Sequence, residues 1–209
     1  MHDLELEAMS PEHLRAGVRI STMSIAWTVV SSTTAVALGV GAKSIVLLAF
    51  GLTGLLDAAG SATLVAHFRH ALRHETFSAR HEQRSMRVVT IGLGVIGALT
   101  ALESTRRLIN REPSHAIPAG VVLATLSAAV LAVLFVRKRS IAGRIPSRAL
   151  LADGWLSATG CVLAVVTVAG TGLASAFQWW WADPVAALAV ACLAVLIAVV
   201  MARGSAATP

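Results

Sequence analysis

Long apolar blocks separated by short polar spacers dominate the pattern of this sequence. Six blocks occur, with approximate limits at 18–40, 44–68, 86–104, 116–136, 149–173 and 179–201. A hydrocarbon layer about 30 Å thick requires about 20 apolar residues in a helix, because every backbone amide there must be hydrogen-bonded internally. The blocks lack the polar stripe of a helix from a soluble bundle. The pattern therefore predicts an all-α, polytopic membrane protein with a bundle of six transmembrane helices.

The predicted domain organisation is a membrane domain with two short tails. The tails cover 1–17 and 203–209, and the membrane domain covers 18–202. The composition agrees, since 56% of the residues are hydrophobic and 13% are charged, against roughly 45–50% and about 25% in soluble domains. The two cysteines, Cys161 and Cys192, lie inside apolar blocks and do not indicate a disulfide framework.

The basic residues indicate an orientation in the membrane. The net charge is +6, but the Lys and Arg residues lie in the spacers, which favours a topological role over nucleic-acid binding. The two tails, the second spacer and the fourth spacer hold 13 of them when Arg19 and Arg87, at the adjoining ends of two blocks, are included, and the opposite side holds four: Lys43, Arg106, Arg107 and Arg111. Because Lys and Arg favour cytoplasmic loops, we expect both termini in the cytoplasm and the protein in the cell membrane.

Acidic residues inside the apolar blocks are the candidates for function. A carboxylate near the bilayer centre costs at least about 2.5–3.5 kcal/mol on insertion scales. Asp57 lies past the middle of the second block, Asp153 about one turn into the fifth, and Asp183 about one turn into the sixth. The predicted orientation puts Asp57 and Asp153 in the cytoplasmic half and Asp183 near the outer face. We therefore expect Asp57 and Asp153 to share one cavity.

Each of these carboxylates has a structural alternative. Thr53 and Asp57 are four residues apart, so their oxygens share a helix face and are suited to part of a small cation site; alternatively, Asp57 pins two helices through a hydrogen bond. Asp153 is about one turn from Arg148, so its alternatives are to snorkel to the interface or to cap the start of its helix. Asp183 precedes Pro184, a pair typical of a helix N-cap followed by Pro at the first helical position.

The second spacer contains four histidines with helical spacing, His67, His70, His74 and His81. Imidazoles spaced in this way can bind Zn²⁺. The segment is also rich in Arg, which favours a solvated turn or contact with anionic lipid headgroups.

Three stretches resemble the cation diffusion facilitator superfamily, particularly a short bacterial branch with six helices and no C-terminal cytoplasmic domain. They are AFGLTGLLDAAGSA in the second block, RKRSIAGRIPSRALLADGWLSATG leading into the fifth, and WWWADPVAALAVACLAV in the sixth. The resemblance covers nearly all of the membrane region. It implies the fold predicted above and a transport function.

The resemblance also implies a metal site, which this chain matches only in part. The second helix of that branch usually carries two acids four residues apart, and here Thr53 and Asp57 stand at those positions. The fifth helix is similar in Ala152-Asp153, but Leu156 and Gly160 stand where a His and a second Asp are expected. The predicted metal ligands are therefore Asp57, Asp153, Thr53 and Ser157, a set suited to a zinc-like or harder cation.

The resulting functional hypothesis is a secondary transporter that exports divalent metal cations, with proton coupling and a homodimer as the resemblance implies. The expected partners are the transported metal ion, protons and the lipid bilayer, without nucleic acid and without a tightly bound cofactor. No arrangement of nucleophile and base points to an enzyme, and no phosphate-binding loop is present in the sequence. The alternative is a membrane scaffold or partner subunit that keeps the fold but has a degenerate metal site.

Overall fold

The computed structural model describes residues 11–72, 79–112, 118–142 and 148–206, and these residues form six α-helices. Their bounds are as follows: α1 is Pro11–Ala42, α2 is Ile45–Leu72, α3 is Ala79–Asn110, α4 is Pro118–Ala142, α5 is Arg148–Phe177 and α6 is Ala182–Ala206. We call the end of the bundle at which α1, α3 and α5 begin the inner end, following the predicted orientation, and the opposite end the outer end. The all-helical bundle predicted from the apolar blocks is confirmed.

The membrane character is also confirmed. Over the side chains that the structure describes, five helices are long and apolar enough to cross a bilayer, with spans Val18–Ala42, Ile45–Ala62, Pro118–Ser140, Ser157–Phe177 and Ala182–Val200. Large apolar side chains are exposed on the outside of the bundle, among them Leu102, Val122 and Val200. Such a surface is suited to acyl chains. A crossing by α3, which has 32 residues, remains a prediction.

The helices divide into a four-helix group, α1, α2, α4 and α5, and a pair, α3 and α6. The most extensive contacts are those of α4 with α5, α1 with α2, and α3 with α6. Helices α1 and α2 also contact α4 and α5, and the α3–α6 pair packs against α2 and α5. The main apolar core lies among α1, α2, α5 and α6 and includes Ala35, Val46, Ala164 and Val190.

The turn between α1 and α2 is tight, and a lysine takes the left-handed position that glycine usually occupies. Lys43 adopts a left-handed conformation with φ 52°, and the amide of Ser44 donates to the carbonyl of Gly39 at 2.9 Å, which closes the end of α1. The hydroxyl of Ser44 then accepts a hydrogen bond from the amide of Leu47 at 3.3 Å. Ser44 is therefore the N-cap of α2.

Candidate functional site

Thr53 and Asp57 lie on α2, inside the span Ile45–Ala62. The Thr53 side chain is 2% exposed, and its hydroxyl donates to the carbonyl oxygens of Ala49 at 2.7 Å and Phe50 at 3.1 Å. Because the proton of Thr53 is directed to its own helix, only the lone pairs of this oxygen are suited to a cation. Asp57 is partly buried.

The two predicted ligands on α5 differ in how the structure places them. Asp153 lies in the second turn of α5, which begins at Arg148, so its position is too far along the helix for an N-cap. The side chains of Asp153 and Leu156 lie outside those described. Ser157 is 3% exposed, and its hydroxyl accepts a hydrogen bond from the ammonium of Lys138 at 2.9 Å.

The register of α2 against α5 brings the candidate residues to similar depths. The two helices run antiparallel, and a Cβ atom at Gly170 would lie 3.6 Å from Cγ1 of Val46. Asp57 is eleven residues further along α2, and Thr159 is eleven residues back along α5. Asp57 therefore lies at about the depth of Thr159, with Ser157 within one turn. Asp153 is one turn beyond Ser157 toward the inner end. Metal binding by these residues remains a prediction.

Gly160 faces α4. It stands at a position where the family that the chain resembles has a metal ligand. A Cβ atom at this position would lie 3.1 Å from Cδ1 of Leu131, which is a tight contact. Nearby, the thiol of Cys161 donates to the carbonyl of Ala128 at 3.5 Å. This stretch of α5 is therefore packed closely against α4.

Lys138 is a buried cation that the sequence reasoning missed. Its side chain is only 1% exposed, and its ammonium donates to the hydroxyl of Ser24 on α1 at 3.0 Å as well as to Ser157. The sequence reasoning assigned Lys138 to a spacer, but α4 continues to Ala142. The sequence carried one signal for it, because Lys138 continues at helical spacing a row of small and apolar positions on α4. The structure buries this stripe: Gly120, Ala124, Ser127, Leu131 and Leu134.

A second feature that sequence reasoning missed is a row of buried hydroxyl groups on α1. Its members recur every three or four residues and face the interior: Ser21, Ser24, Thr28 and Ser31, with Ser32 beside them. At Gly54 of α2, an added Cβ atom would lie 2.2 Å from the hydroxyl oxygen of Ser32. The row is therefore buried against α2 at Thr28 and Ser32, and Ser24 accepts the hydrogen bond from Lys138 on α4.

Asp183 has a different role from the one predicted. The sequence pattern predicted that it caps its own helix, but its carboxylate caps α2. One oxygen accepts a hydrogen bond from the Ser44 hydroxyl, and the other accepts from the amide of Ile45 at 2.9 Å. The side chain is 1% exposed. The difference arises because the α1–α2 turn lies against the start of α6 and offers two donors to this carboxylate.

Charged groups surround the same turn at the outer end. A guanidinium nitrogen of Arg107 donates to the carbonyl of Lys43, and Nε of Arg107 donates to Glu103 at 3.0 Å. Arg106 also donates to Glu103, at 2.8 Å, and this hydrogen bond raises the pKa of the Arg106 guanidinium. These contacts join α3 to the α1–α2 turn.

No cluster of three or more His, Cys, Asp or Glu residues that could hold a metal is present among the residues with described side chains. Asp153 and the four histidines of the second spacer lie outside that set. The tetrahedral site that the resemblance implies therefore remains a prediction, and Asp57 is the carboxylate that stands at one of its positions in the sequence.

The comparison with known families matches the architecture. The family model of the cation efflux transmembrane domain matches residues 21–208. No curated protein matches the sequence. Because the matched segment covers nearly the whole 209-residue chain and includes α2, α5 and α6, the chain belongs to the cation efflux family of transporters, also called the cation diffusion facilitator family.

Proposed function

We propose that the protein is a secondary transporter that exports a divalent metal cation across the cell membrane in exchange for protons. The observation that carries the proposal is a partly buried carboxylate, Asp57, inside an apolar span of a chain from the cation efflux family. The other carboxylate described within the five spans, Asp183, is bound to Ser44 and Ile45. Asp57 stands four residues after Thr53, and this pair of oxygens on one helix face is the part of the span that we propose for the ion.

In the proposed cycle, Asp57 holds the cation when it is ionised and releases it when it is protonated. The lone pairs of Thr53, the hydroxyl of Ser157 and the carboxylate of Asp153 are the proposed additional oxygen ligands. Helices α2 and α5 then move between inward-open and outward-open arrangements around the ion. Oxygen ligands favour hard cations over those that require His and Cys.

Two further parts of the proposal come from the sequence pattern and the family. The excess of basic residues on one side supports cytoplasmic termini. The family resemblance supports a homodimer, which would be held together by contacts between helices.

The test is metal flux into proteoliposomes with and without a pH gradient. In Asp57→Asn we expect pH-dependent flux of Mn²⁺, Zn²⁺, Co²⁺ or Cd²⁺ to be lost, because an amide can neither take up a proton nor offset the charge of the ion. The melting temperature should stay close to that of the wild type. Glu112→Gln removes an exposed carboxylate at the outer end and should retain the flux. Wild-type flux in Asp57→Asn would remove Asp57 from the mechanism.

A second candidate function is a membrane scaffold or partner subunit that does not transport. It is favoured by the tight contact that a side chain at position 160 would make with Leu131 and by Leu156 at the other family ligand position. The same assay distinguishes the two functions. If the folded wild-type protein and Asp57→Asn both give the flux of protein-free liposomes for every metal, the scaffold function is supported.

A further inference from the structure

The ammonium group of Lys138 is a buried charge that the proposed transport cycle does not use. It lies on α4, inside the span Pro118–Ser140, and joins three helices through its hydrogen bonds to Ser24 on α1 and Ser157 on α5. Its neighbours Arg137 and Arg139 are exposed. Lys138 is therefore the residue of this basic triplet whose side chain points into the four-helix group.

Packing alone does not explain a lysine at this position. The buried stripe of α4 that Lys138 completes is otherwise made of small, apolar and hydroxyl side chains. A Leu or Met at the end of the stripe would fill similar space without the cost of burying a charge. Charged groups within membrane spans are costly, and they usually face a cavity or a pathway.

Two independent helix registers place the two partners of this ammonium at about the depth of Asp57. On α1, a Cβ atom at Gly54 would lie 3.8 Å from Cγ2 of Thr28; one turn further inward, Ser24 lies at the depth of Ala58. On α5, the contact between Val46 and Gly170 puts Ser157 at the depth of Ala59. Both partners of the Lys138 ammonium are therefore within about one helical turn of Asp57 in depth, or roughly 5 Å along the helix axis.

One of the two oxygens that hold Lys138 is an oxygen proposed for a cation at Asp57. Ser157 is one of the predicted metal ligands, and Ser24 belongs to the hydroxyl row of α1. A hydroxyl oxygen that accepts a hydrogen bond from an ammonium has less capacity to coordinate a metal ion. In addition, an ammonium that shares the Ser157 oxygen with a divalent cation repels that cation, because the surroundings screen charges poorly.

We propose that Lys138 is a specificity-determining residue of the cation passage: its ammonium is a tethered cation that occupies Ser24 and Ser157 beside Asp57 and weakens the binding of divalent ions there. This inference rests on the proposed function, because it assigns the site at Asp57 to a cation. A divalent ion can use Ser157 only when the Lys138 side chain moves away. The tethered charge thus opposes retention of a divalent ion at Asp57.

The test is metal titration of the purified protein in lipid nanodiscs by calorimetry, with Mn²⁺, Zn²⁺, Co²⁺ and Cd²⁺ as probes. Lys138→Met removes the charge and keeps most of the side-chain length, and we expect it to bind at least one of these ions about tenfold or more tightly than the wild type. Lys138→Arg keeps the charge and should bind as the wild type does. The matched control is Arg139→Met, which removes an exposed charge from the adjacent position and should leave the affinity unchanged.

The double variant Lys138→Met with Asp57→Asn assigns the gain to the site. Loss of the tighter binding in this variant supports the proposal, whereas a gain that persists without Asp57 overturns it. Affinity in Lys138→Met equal to or below that of the wild type also overturns it. If Lys138→Met does not fold, Lys138→Gln replaces it, since the amide keeps a donor for Ser24 and Ser157 without the charge.

The proposed transport function is judged separately, by the flux of the wild type against Asp57→Asn. Flux that depends on Asp57, together with unchanged affinity in Lys138→Met, overturns the role of Lys138 alone. Tighter binding in Lys138→Met that depends on Asp57, without flux in the wild type, supports the role of Lys138 and contradicts transport.

Discussion

Asp57 and Asp183 are both carboxylates within apolar spans, and their surroundings separate their roles. Asp183 is almost fully buried, and both of its oxygens accept hydrogen bonds from the α1–α2 turn. Asp57 is partly exposed and lies at the depth of several hydroxyl groups on α1 and α5. A carboxylate held by a helix start stabilises the fold, whereas ion exchange at Asp57 is the role proposed above for an intramembrane acid.

The capping role of Asp183 leads to a prediction for stability. In Asp183→Ala, the Ser44 hydroxyl and the Ile45 amide lose their acceptor, and a buried donor without a partner costs about 1–3 kcal/mol. We expect a clear loss of melting temperature for the purified protein in detergent, and a smaller loss for Asp183→Asn, which keeps one acceptor oxygen.

Glu112→Ala is the control, because exposed ion pairs such as that of Glu112 with Arg106 contribute little to stability. A melting temperature of Asp183→Ala equal to that of the wild type would contradict the capping role.

At the level of single residues, the sequence identified the intramembrane acids but not their partners. The donors to Asp183 lie 138 and 139 positions earlier in the chain, and spacing along one helix cannot indicate them. Lys138 was missed for a different reason: it stands between two arginines, which made the triplet typical of a loop.

At the level of the helices, hydropathy predicted all six elements but not where they end. The fourth block was predicted to end at residue 136, whereas α4 ends at Ala142. Hydropathy marks the part of a helix that lies in hydrocarbon, and a helix can continue through the headgroup region with charged side chains. This difference matters for the candidate site, because the six residues of α4 beyond position 136 include Lys138.

Close packing of α1 on α2 depends on glycine, and this leads to a second prediction. A Cβ atom at Gly51 would lie 2.7 Å from the backbone oxygen of Ser32 and 2.9 Å from the backbone nitrogen of Val36. Because backbone atoms cannot move aside as a side chain can, Gly51→Ala must separate the helices. We expect a loss of about 1–3 kcal/mol in the free energy of unfolding.

The matched control is Gly172→Ala, since an added Cβ atom there meets nothing within 4 Å. Alanine is favoured over glycine in helices, so this variant should be as stable as the wild type or slightly more so. Unfolding in a denaturing detergent measures the free energy of unfolding of both variants. Equal loss in the two variants would contradict the contact of Gly51 with α1 as the cause.

At the level of the whole molecule, the sequence could predict a bundle but not which helices pair. In a soluble protein the apolar face of a helix identifies its interior side, but here the outward face is apolar as well. The α3–α6 pair and the four-helix group follow from contacts of small residues. One of these is Gly97 on α3, where an added Cβ atom would lie 2.7 Å from Cγ2 of Val195 on α6.

The predicted orientation can be tested on the intact protein in cells. In a background with Cys161→Ser and Cys192→Ser, a cysteine placed by Arg111→Cys at the end of α3 should react with a membrane-impermeant maleimide added outside. A cysteine placed by Arg203→Cys near the end of α6 should react only after the membrane is permeabilised. The opposite labelling pattern would reverse the assignment of the two faces and the proposed direction of export.

The contact between Asp183 and the start of α2 has a consequence for biogenesis. During synthesis, α1 and α2 leave the ribosome well before Asp183, which follows Ile45 by 138 residues. Until the last hairpin inserts, the first turn of α2 has to find water or headgroup oxygens in place of its carboxylate. The chain therefore completes the hydrogen bonds at the start of its second helix only when its sixth arrives, and in a nascent protein interrupted before that point the Ile45 amide lacks its carboxylate acceptor.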